Sequence, residues 1–216
     1  MLRYLYADQL ARFPRLSDSM FRDRARQFHD RLGWDVKVDG RGHERDEYDA
    51  QNPLYVIWER PDGGHGASMR FLPTIGATMV NDHFSHLTGG VTIESPLIWE
   101  CTRFCLSPGM DRKAATALAL GAGELMEAFH IRHFVGVFDM RMRRIYRLMG
   151  LEPEVIGEAG EGRERVGVGL WSMQQNAFAP ILARLGITRE ISRAWLRYSL
   201  SANGANQRQE ALAAIA

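Results

Sequence analysis

Ser95-Pro-Leu-Ile-Trp-Glu-Cys-Thr-Arg-Phe-Cys-Leu-Ser-Pro-Gly109 is the stretch whose reading decides the fold. Leu97 to Leu106 has the length and bulk of a buried strand, with Pro96 on one side and Ser107-Pro108-Gly109 on the other as breakers. Its middle carries Glu100, Thr102 and Arg103, where a purely structural central strand is apolar throughout. An ionised group taken into a low-dielectric interior costs several kcal/mol unless it is paired. Strict alternation sends Glu100 and Thr102 to one face and Arg103 to the other. A local bulge, common beside active sites, brings them together. A structural ion pair at a strand end explains the same residues equally well.

Outward from that strand, the C-terminal side opens with an Ala/Leu/Met-rich helix over Asp111–His130. A short buried strand follows at His133–Phe138, then a helix over Met140–Met149 closed by Gly150. Pro153–Ile156 and Val166–Trp171 read as two final strands. Asn176–Leu185 and Thr188–Leu200 read as helices separated by Gly186. On the N-terminal side, Leu54–Arg60 and Ala67–Leu72 form a hairpin through Pro61-Asp-Gly-Gly64, with Arg70 inside the second strand. Met1–Tyr6 alternates weakly as a first strand. Ser17 or Asp18 caps a helix that runs to Leu32 and ends on Gly33. Trp34–Pro53 is long for a connection and dense in charge, and Pro73–Ser95 is a Gly-rich polar loop anchored by Phe84. Strands and helices alternate with hairpins, giving an α/β or α+β sandwich of one sheet with helices on its faces. A single domain over 1–200 is expected, with 201–216 a frayed tail.

The chain has 216 residues, 45% hydrophobic and 25% charged, and a net charge of +1. A balance so near zero gives no global basic field for nucleic acid. No apolar run approaches the ~18–20 residues of a membrane span, and Met1-Leu-Arg-Tyr-Leu-Tyr lacks the pattern of a signal peptide. Cys101 and Cys105 sit four apart on one strand, roughly 13 Å between Cα atoms, too far for a disulfide. They read as small buried hydrophobes of a reducing, cytoplasmic protein. His83 with His86, and His130 with His133, lack the carboxylates or thiolates that would complete a metal site, so no metal is expected. Arg22, Arg24, Arg26 and Arg31 on the first long helix are most simply a solvated face.

Polar residues stand where apolar ones are expected at Arg24, Asp46, Asp49, Arg70, Glu100 and Arg103. Cations and anions spread over four segments can close into one half-buried network, whose pairing offsets little more than its own desolvation. Such a network suits a preorganised site for a zwitterionic ligand. Phe28, Trp34 and Phe84 neighbour these charges in sequence and can wall a cation, worth ~0.5–2 kcal/mol over an aromatic face. Plain core for the two phenylalanines, and arginine partnership alone for the two aspartates, remain open alternatives.

These residues, as Phe21-Arg-x-Arg24-x-x-x-Phe28, Leu32-x-Trp34, Glu44-x-Asp46-x-Tyr48-Asp49, Arg70-x-Leu72 with Pro73-Thr74, Phe84, and Glu100-x-x-Arg103-Phe104, resemble the acyl-homoserine-lactone synthases, the autoinducer synthases of bacterial quorum sensing. The resemblance covers residues 1 to about 171 in order and spacing. It implies a fold similar to the N-acetyltransferases, with a mixed central sheet splayed into a V between the strands at 97–106 and 133–138. An acyl thioester of acyl carrier protein, or of coenzyme A, would lie in that V. S-adenosylmethionine would enter as co-substrate against the N-terminal half, with no permanently bound cofactor. Acylation of its amine and closure of the lactone would release methylthioadenosine.

For that reaction Glu100, Thr102 and Arg103 are the catalytic candidates, Glu100 taking the amine's proton with help from Thr102 or a water. Arg24, Phe28, Trp34, Asp46, Asp49, Arg70 and Phe84 are candidates for binding S-adenosylmethionine. Trp99, Cys101, Phe104, Val137 and Phe138 are candidates for the acyl pocket. Many family members that make 3-oxo products carry threonines just after the fifth strand, where this chain reads Val137-Phe-Asp-Met140; an unsubstituted, 3-hydroxy or unusual acyl chain is the better expectation. Arg141, Arg143, Arg144 and Arg147 form a local basic patch suited to an acidic carrier protein. Without the resemblance, the chain would read as a coenzyme-A-dependent N-acyltransferase, whose helix after Ser107-Pro-Gly lacks the expected Gly-x-Gly phosphate loop. A binding or regulatory domain that kept the fold and lost activity is the non-enzymatic alternative.

Overall fold

In the computed structural model, which describes residues 1–173 and 177–213, seven strands form one sheet in the order β1-β2-β3-β4-β5-β7-β6. They are β1 (Leu2–Tyr6), β2 (Leu54–Glu59), β3 (His65–Pro73), β4 (Ile98–Leu106), β5 (His133–Asp139), β6 (Glu154–Ala159) and β7 (Val166–Trp171). All neighbours run antiparallel except β4 and β5, which are parallel and pair only from Ile98 opposite His133 to Glu100 opposite Val135. Beyond Glu100, β4 stays with β3 and β5 stays with β7, so the sheet divides into two halves that open as a V. Gly136 stands at the apex. A Cβ there would meet the Cys101 carbonyl oxygen at 2.7 Å, so only glycine lets the two strands converge before they part.

The quoted strand does contain a bulge. Arg70 pairs with Thr102 but Ser68 pairs with Cys105, so β4 carries one extra residue at Arg103–Phe104. Arg103 takes it up with φ +54°, a left-handed backbone costly for any side chain but glycine. The extra residue turns Arg103 to the same side as Thr102 and returns Phe104 to the opposite, apolar face.

Helices cover both faces. On one lie α3 (Arg112–Ala128), α5 (Phe178–Leu185) and α6 (Arg189–Ala213), packed on Leu2, Tyr4, Val56, Phe71, Trp99 and Phe134. Asp111 caps α3 by accepting the Lys113 N–H, and Gly121 lets the helix ride close on Val56, whose Cγ1 would lie 2.5 Å from a Cβ. The other face is covered by α1 (Pro14–Ala25) over Leu5, Tyr55 and Ile57, and by α2 (Met79–His83) beside Val135 and Val168. Helix α4 (Met142–Leu148) follows β5 at the open end of the V.

Several boundaries differ from the sequence expectation. Helix α1 starts at Pro14 rather than at a Ser17 or Asp18 cap, because proline at the first helical position has its φ preset and lacks only an N–H that would be unpaired there. The chain then widens into a π turn over Arg26–Arg31 before Gly33. Segment 34–53 is held by a bridge between Val38 and Glu44 and by a 3-10 turn at Glu47–Gln51. Segment 73–95 contains α2, which its glycine-rich composition hid. Of the tail expected to fray, 201–213 continue α6 and 214–216 lie outside the described residues, as does Asn176, the expected start of α5.

Candidate active site

Of the arginines on the first helix, Arg24 alone is buried, while Arg22, Arg26 and Arg31 face solvent. Its Nε donates to Glu44 Oε2 at 2.6 Å, and its two terminal nitrogens grip both oxygens of Asp49 at 2.8 and 2.9 Å. Arg70, from β3, forks onto Asp46 and also reaches Asp49 Oδ1 at 3.0 Å, while its Nε donates to Thr102 Oγ1 at 3.0 Å. Arg103, turned inward by the bulge, meets Glu44 Oε1 at 3.0 Å and Asp46 Oδ2 at 2.7 Å. Three guanidiniums and three carboxylates thus close a ring across α1, the 34–53 segment, β3 and β4.

The two aspartates owe their placement to the turn between them. Asp46 accepts the N–H of Tyr48 and Asp49, and Asp49 accepts the N–H of Asp46, a reciprocal cap that holds both carboxylates independently of the arginines. Burial alone would raise the Asp49 carboxyl. The Arg24 and Arg70 charges, with a hydrogen bond from Tyr55, outweigh it and hold the group well below the usual carboxylate range.

Glu44 is the third anion of this ring, the position expected of Glu100. Glu44 stands in the Glu44-x-Asp46 spacing that carries the family resemblance, but neither apolar pattern nor periodicity marks it as a site residue. Glu100 sits apart, accepting the N–H of Met79 at 3.1 Å and of Val80 at 2.6 Å at the start of α2. Burial raises its pKa above the ordinary 4.5, against the opposing pull of those two amides and of Arg70.

Phe28 and Trp34 stack at 5.2 Å and 14°, with the Arg103 guanidinium 5.4 Å from the Phe28 ring centre. Phe28 is buried, whereas Trp34 is 44% exposed and presents a free aromatic surface. Phe84 lies elsewhere, packed with Val80 and Leu87 against Val135. The acyl-pocket candidates do not share one face. Trp99, Cys101 and Phe104 pack toward α3, and Phe138 stands edge-on to Tyr146 and Trp171. Val137 points the other way, as alternation from Phe138 requires, and joins Val80 and Val168. Tyr146 and Trp171 were not singled out from sequence; the Trp171 ring comes within 3.4 Å of a Cβ at Gly136, at the apex of the V, and Tyr146 packs edge-on against it.

Both cysteines are free, and burial pushes the Cys105 thiol up to about 12, so it is no nucleophile at neutral pH. Of the α4 region's arginines, Arg141 pairs with Asp139, and Arg143 and Arg147 share Glu152; among the described residues Arg144 has no ion pair. An open cleft of about 590 Å³ reaches the ring from outside through Asp49 and Tyr55. Among the described residues no helix is long and apolar enough to cross a membrane.

Comparison with known proteins follows the same lines. The family model described as autoinducer synthase matches residues 8–179. An acyl-homoserine-lactone synthase of Rhizobium etli is 39% identical over 192 residues, covering 86% of this chain and 90% of its own. The solved structure of BjaI, a CoA-dependent acyl-homoserine lactone synthase with SAM and isopentyl-CoA, superposes with TM-score 0.78 at 18% identity over 87% of this chain and 90% of its own. A putative N-acetyltransferase from Lactobacillus plantarum superposes with TM-score 0.52 at 14% identity over 80% of this chain and 99% of its own. Both structural likenesses concern the fold.

Proposed function

The chain belongs to the autoinducer synthase family, acyl-homoserine-lactone synthases and therefore acyltransferases, and from that membership we propose how its own residues divide the reaction. The ring of arginines and carboxylates binds the amino-acid end of S-adenosylmethionine, Glu100 removes the amine's proton, and the V between β4 and β5 takes the acyl thioester. The observation that carries this reading is where the ring opens. Arg24 is 1% exposed and Asp49, which the cleft beside Tyr55 touches, 5%, whereas the Arg103 and Asp46 side chains, 9% and 12% exposed, form the ring's more open edge beside the Phe28–Trp34 stack. Arg103 there meets the methionine carboxylate, and the aromatic pair covers the sulfonium. Arg24, Arg70, Glu44 and Asp49 act from behind, holding that edge in place.

A free α-amine has a pKa near ~8, so at neutral pH ammonium exceeds amine only about tenfold and a carboxylate beside it needs to shift a modest equilibrium. The amine then attacks the thioester carbonyl, and strand N–H groups left unpaired where β4 and β5 separate hold the oxyanion. Trp99, Cys101, Phe104 and Phe138 line the acyl chain's path on the α3 face. Lactone closure brings the methionine carboxylate onto the carbon bearing sulfur, and positioning supplies much of the barrier reduction. S-adenosylmethionine is a co-substrate, consumed to methylthioadenosine in a cytoplasmic enzyme.

Binding is read by thermal unfolding. A ligand present at one hundred times its Kd stabilises by ~2.7 kcal/mol, so S-adenosylmethionine is expected to raise Tm by about 5–10 °C for a domain of this size. No shift at millimolar S-adenosylmethionine contradicts the assignment of the ring.

An acyl carrier protein donor, on this proposal, docks at α4. Arg144 is the patch's unpaired cation among the described residues, and Arg147 is held only by an exposed pair with Glu152. Arg144→Glu with Arg147→Glu is expected to raise KM for an acyl carrier protein thioester about 5–10-fold, since rim charges steer an acidic partner. KM for a coenzyme A thioester should stay within twofold. Equal effects on both donors refute docking at this helix.

A further inference from the structure

Thr78 is the N-cap of α2, in extended backbone with φ −140° and ψ 148°. A threonine in that position ordinarily accepts an N–H from the first turn of its own helix. Here its side chain makes no such bond. Glu100 reaches across from β4 and takes the N–H of Met79 and Val80 instead. The Thr78 hydroxyl is left at 0% exposure, with no hydrogen-bond partner among the described residues. It bonds to neither oxygen of the carboxylate that displaced it.

The helix cannot turn to relieve this. Asn81 donates to Ile93 O and accepts from Ile93 N, both at 2.9 Å, and the Tyr48 hydroxyl donates to Asp82 Oδ2 at 2.8 Å. Thr78's own carbonyl accepts the Asp82 N–H at 3.0 Å. Glu100 and Thr78 are therefore two buried polar groups at one helix terminus, and no hydrogen bond joins them among the described residues. Buried polar groups so placed are satisfied by an ordered water with two or more partners.

We propose that Thr78 is a positioning residue for proton removal, its hydroxyl holding against the Glu100 carboxylate the water through which the amine's proton arrives. The inference rests on Glu100 as the proton acceptor. One proton passes from the ammonium N–H to the water as the water passes one of its own to the carboxylate. The nitrogen keeps the electron pair of the broken N–H bond, which forms the new C–N bond to the thioester carbon; the thiolate departs with the electrons of the C–S bond and takes the second N–H proton, leaving as the thiol and the nitrogen as a neutral amide.

Thr78→Val, which keeps the shape and removes the hydroxyl, is the test, with Thr78→Ser as the restoring variant and Thr78→Ala as a second deletion should valine not fold. Thr78→Val is expected to melt close to the wild type and to lose about 10–100-fold in kcat, as a misplaced proton carrier does, with KM for S-adenosylmethionine within about twofold. Thr78→Ser should recover most of the rate. Wild-type kcat in both deletion variants overturns the proposal. So does a raised KM at unchanged kcat, which would make the hydroxyl a binding group. Glu100→Gln run in parallel separates the two failures. If that variant is slow while Thr78→Val is fast, the role of Thr78 alone falls; if Glu100→Gln is itself fast, the reading of Glu100 falls with it.

Discussion

Glu100→Gln is expected to leave a folded protein that acylates S-adenosylmethionine about 10²–10⁴-fold more slowly, the usual contribution of a positioned general base. KM for S-adenosylmethionine should change little, because Glu100 lies outside the ring of arginines and is held by the α2 amides. Two opposing terms keep stability near wild type. Glutamine offers one acceptor where the carboxylate offered two, costing about 1–3 kcal/mol, but it also removes a buried charge. The sign of the pH dependence follows from the raised carboxyl pKa. A carboxyl raised on folding adds stability below its unfolded value of 4.5 and loses it as pH rises through the folded value. Wild-type melting should therefore show a decline over that window which Glu100→Gln lacks. In kinetics, the acid limb of kcat/KM should lie above the ordinary carboxylate range and disappear in the variant. An unchanged kcat, or an unchanged acid limb, contradicts the role of Glu100.

Arg24→Met is expected to be the most damaging substitution to stability. The wild-type guanidinium is wholly buried and serves Glu44 and both oxygens of Asp49. Removing it leaves buried carboxylates short of charge, for which losses of about 3–5 kcal/mol are typical. At 2–4 °C per kcal/mol for a domain of this size, Tm should fall by roughly 6–20 °C. Acid unfolding should move upward as well. Asp49, held low by Arg24 and Arg70, contributes stability above the usual carboxylate value of 3.8, and that contribution is lost only as pH falls through its depressed folded value. Without Arg24 that value rises, so the contribution is smaller and its loss is complete at a higher pH. Arg24→Lys should recover little, since an ammonium cannot fork onto Asp49 and also reach Glu44. A Tm within about 2 °C of wild type would mean that the ring carries little of the fold's stability.

Much of this was legible in the sequence because its signals are local. A bulky run bounded by Pro96 and Pro108 gave β4, and charges inside that run pointed to a bulge, which Arg103 occupies. Arg24, Asp46, Asp49, Arg70 and Arg103 were each conspicuous, as ions placed against apolar pattern or spaced as in the family, and they come together. What stayed hidden depends on contacts distant in sequence. Glu44 is spaced as in the family, but it sits among Arg41, Arg45 and Glu47 in a segment with no periodicity, and its meeting with Arg24 and Arg103 is what gives it a place in the ring. Helix α2 owes its N-terminal partners to Glu100, a strand residue some twenty positions on, so neither composition nor a Thr78 cap announced it. Val137 and Phe138 were paired as pocket residues although strand alternation separates them, and Tyr146 joined Phe138 only once α4 folded back on β5.

Incubation of the purified protein with S-adenosylmethionine and a panel of acyl thioesters, on both acyl carrier protein and coenzyme A, read by mass spectrometry, tests the central claim most directly. The predicted result is methylthioadenosine and an acyl-homoserine lactone in equal amounts, with the preferred mass naming the acyl group. Acyl transfer without methylthioadenosine, or neither product with any donor, would contradict it.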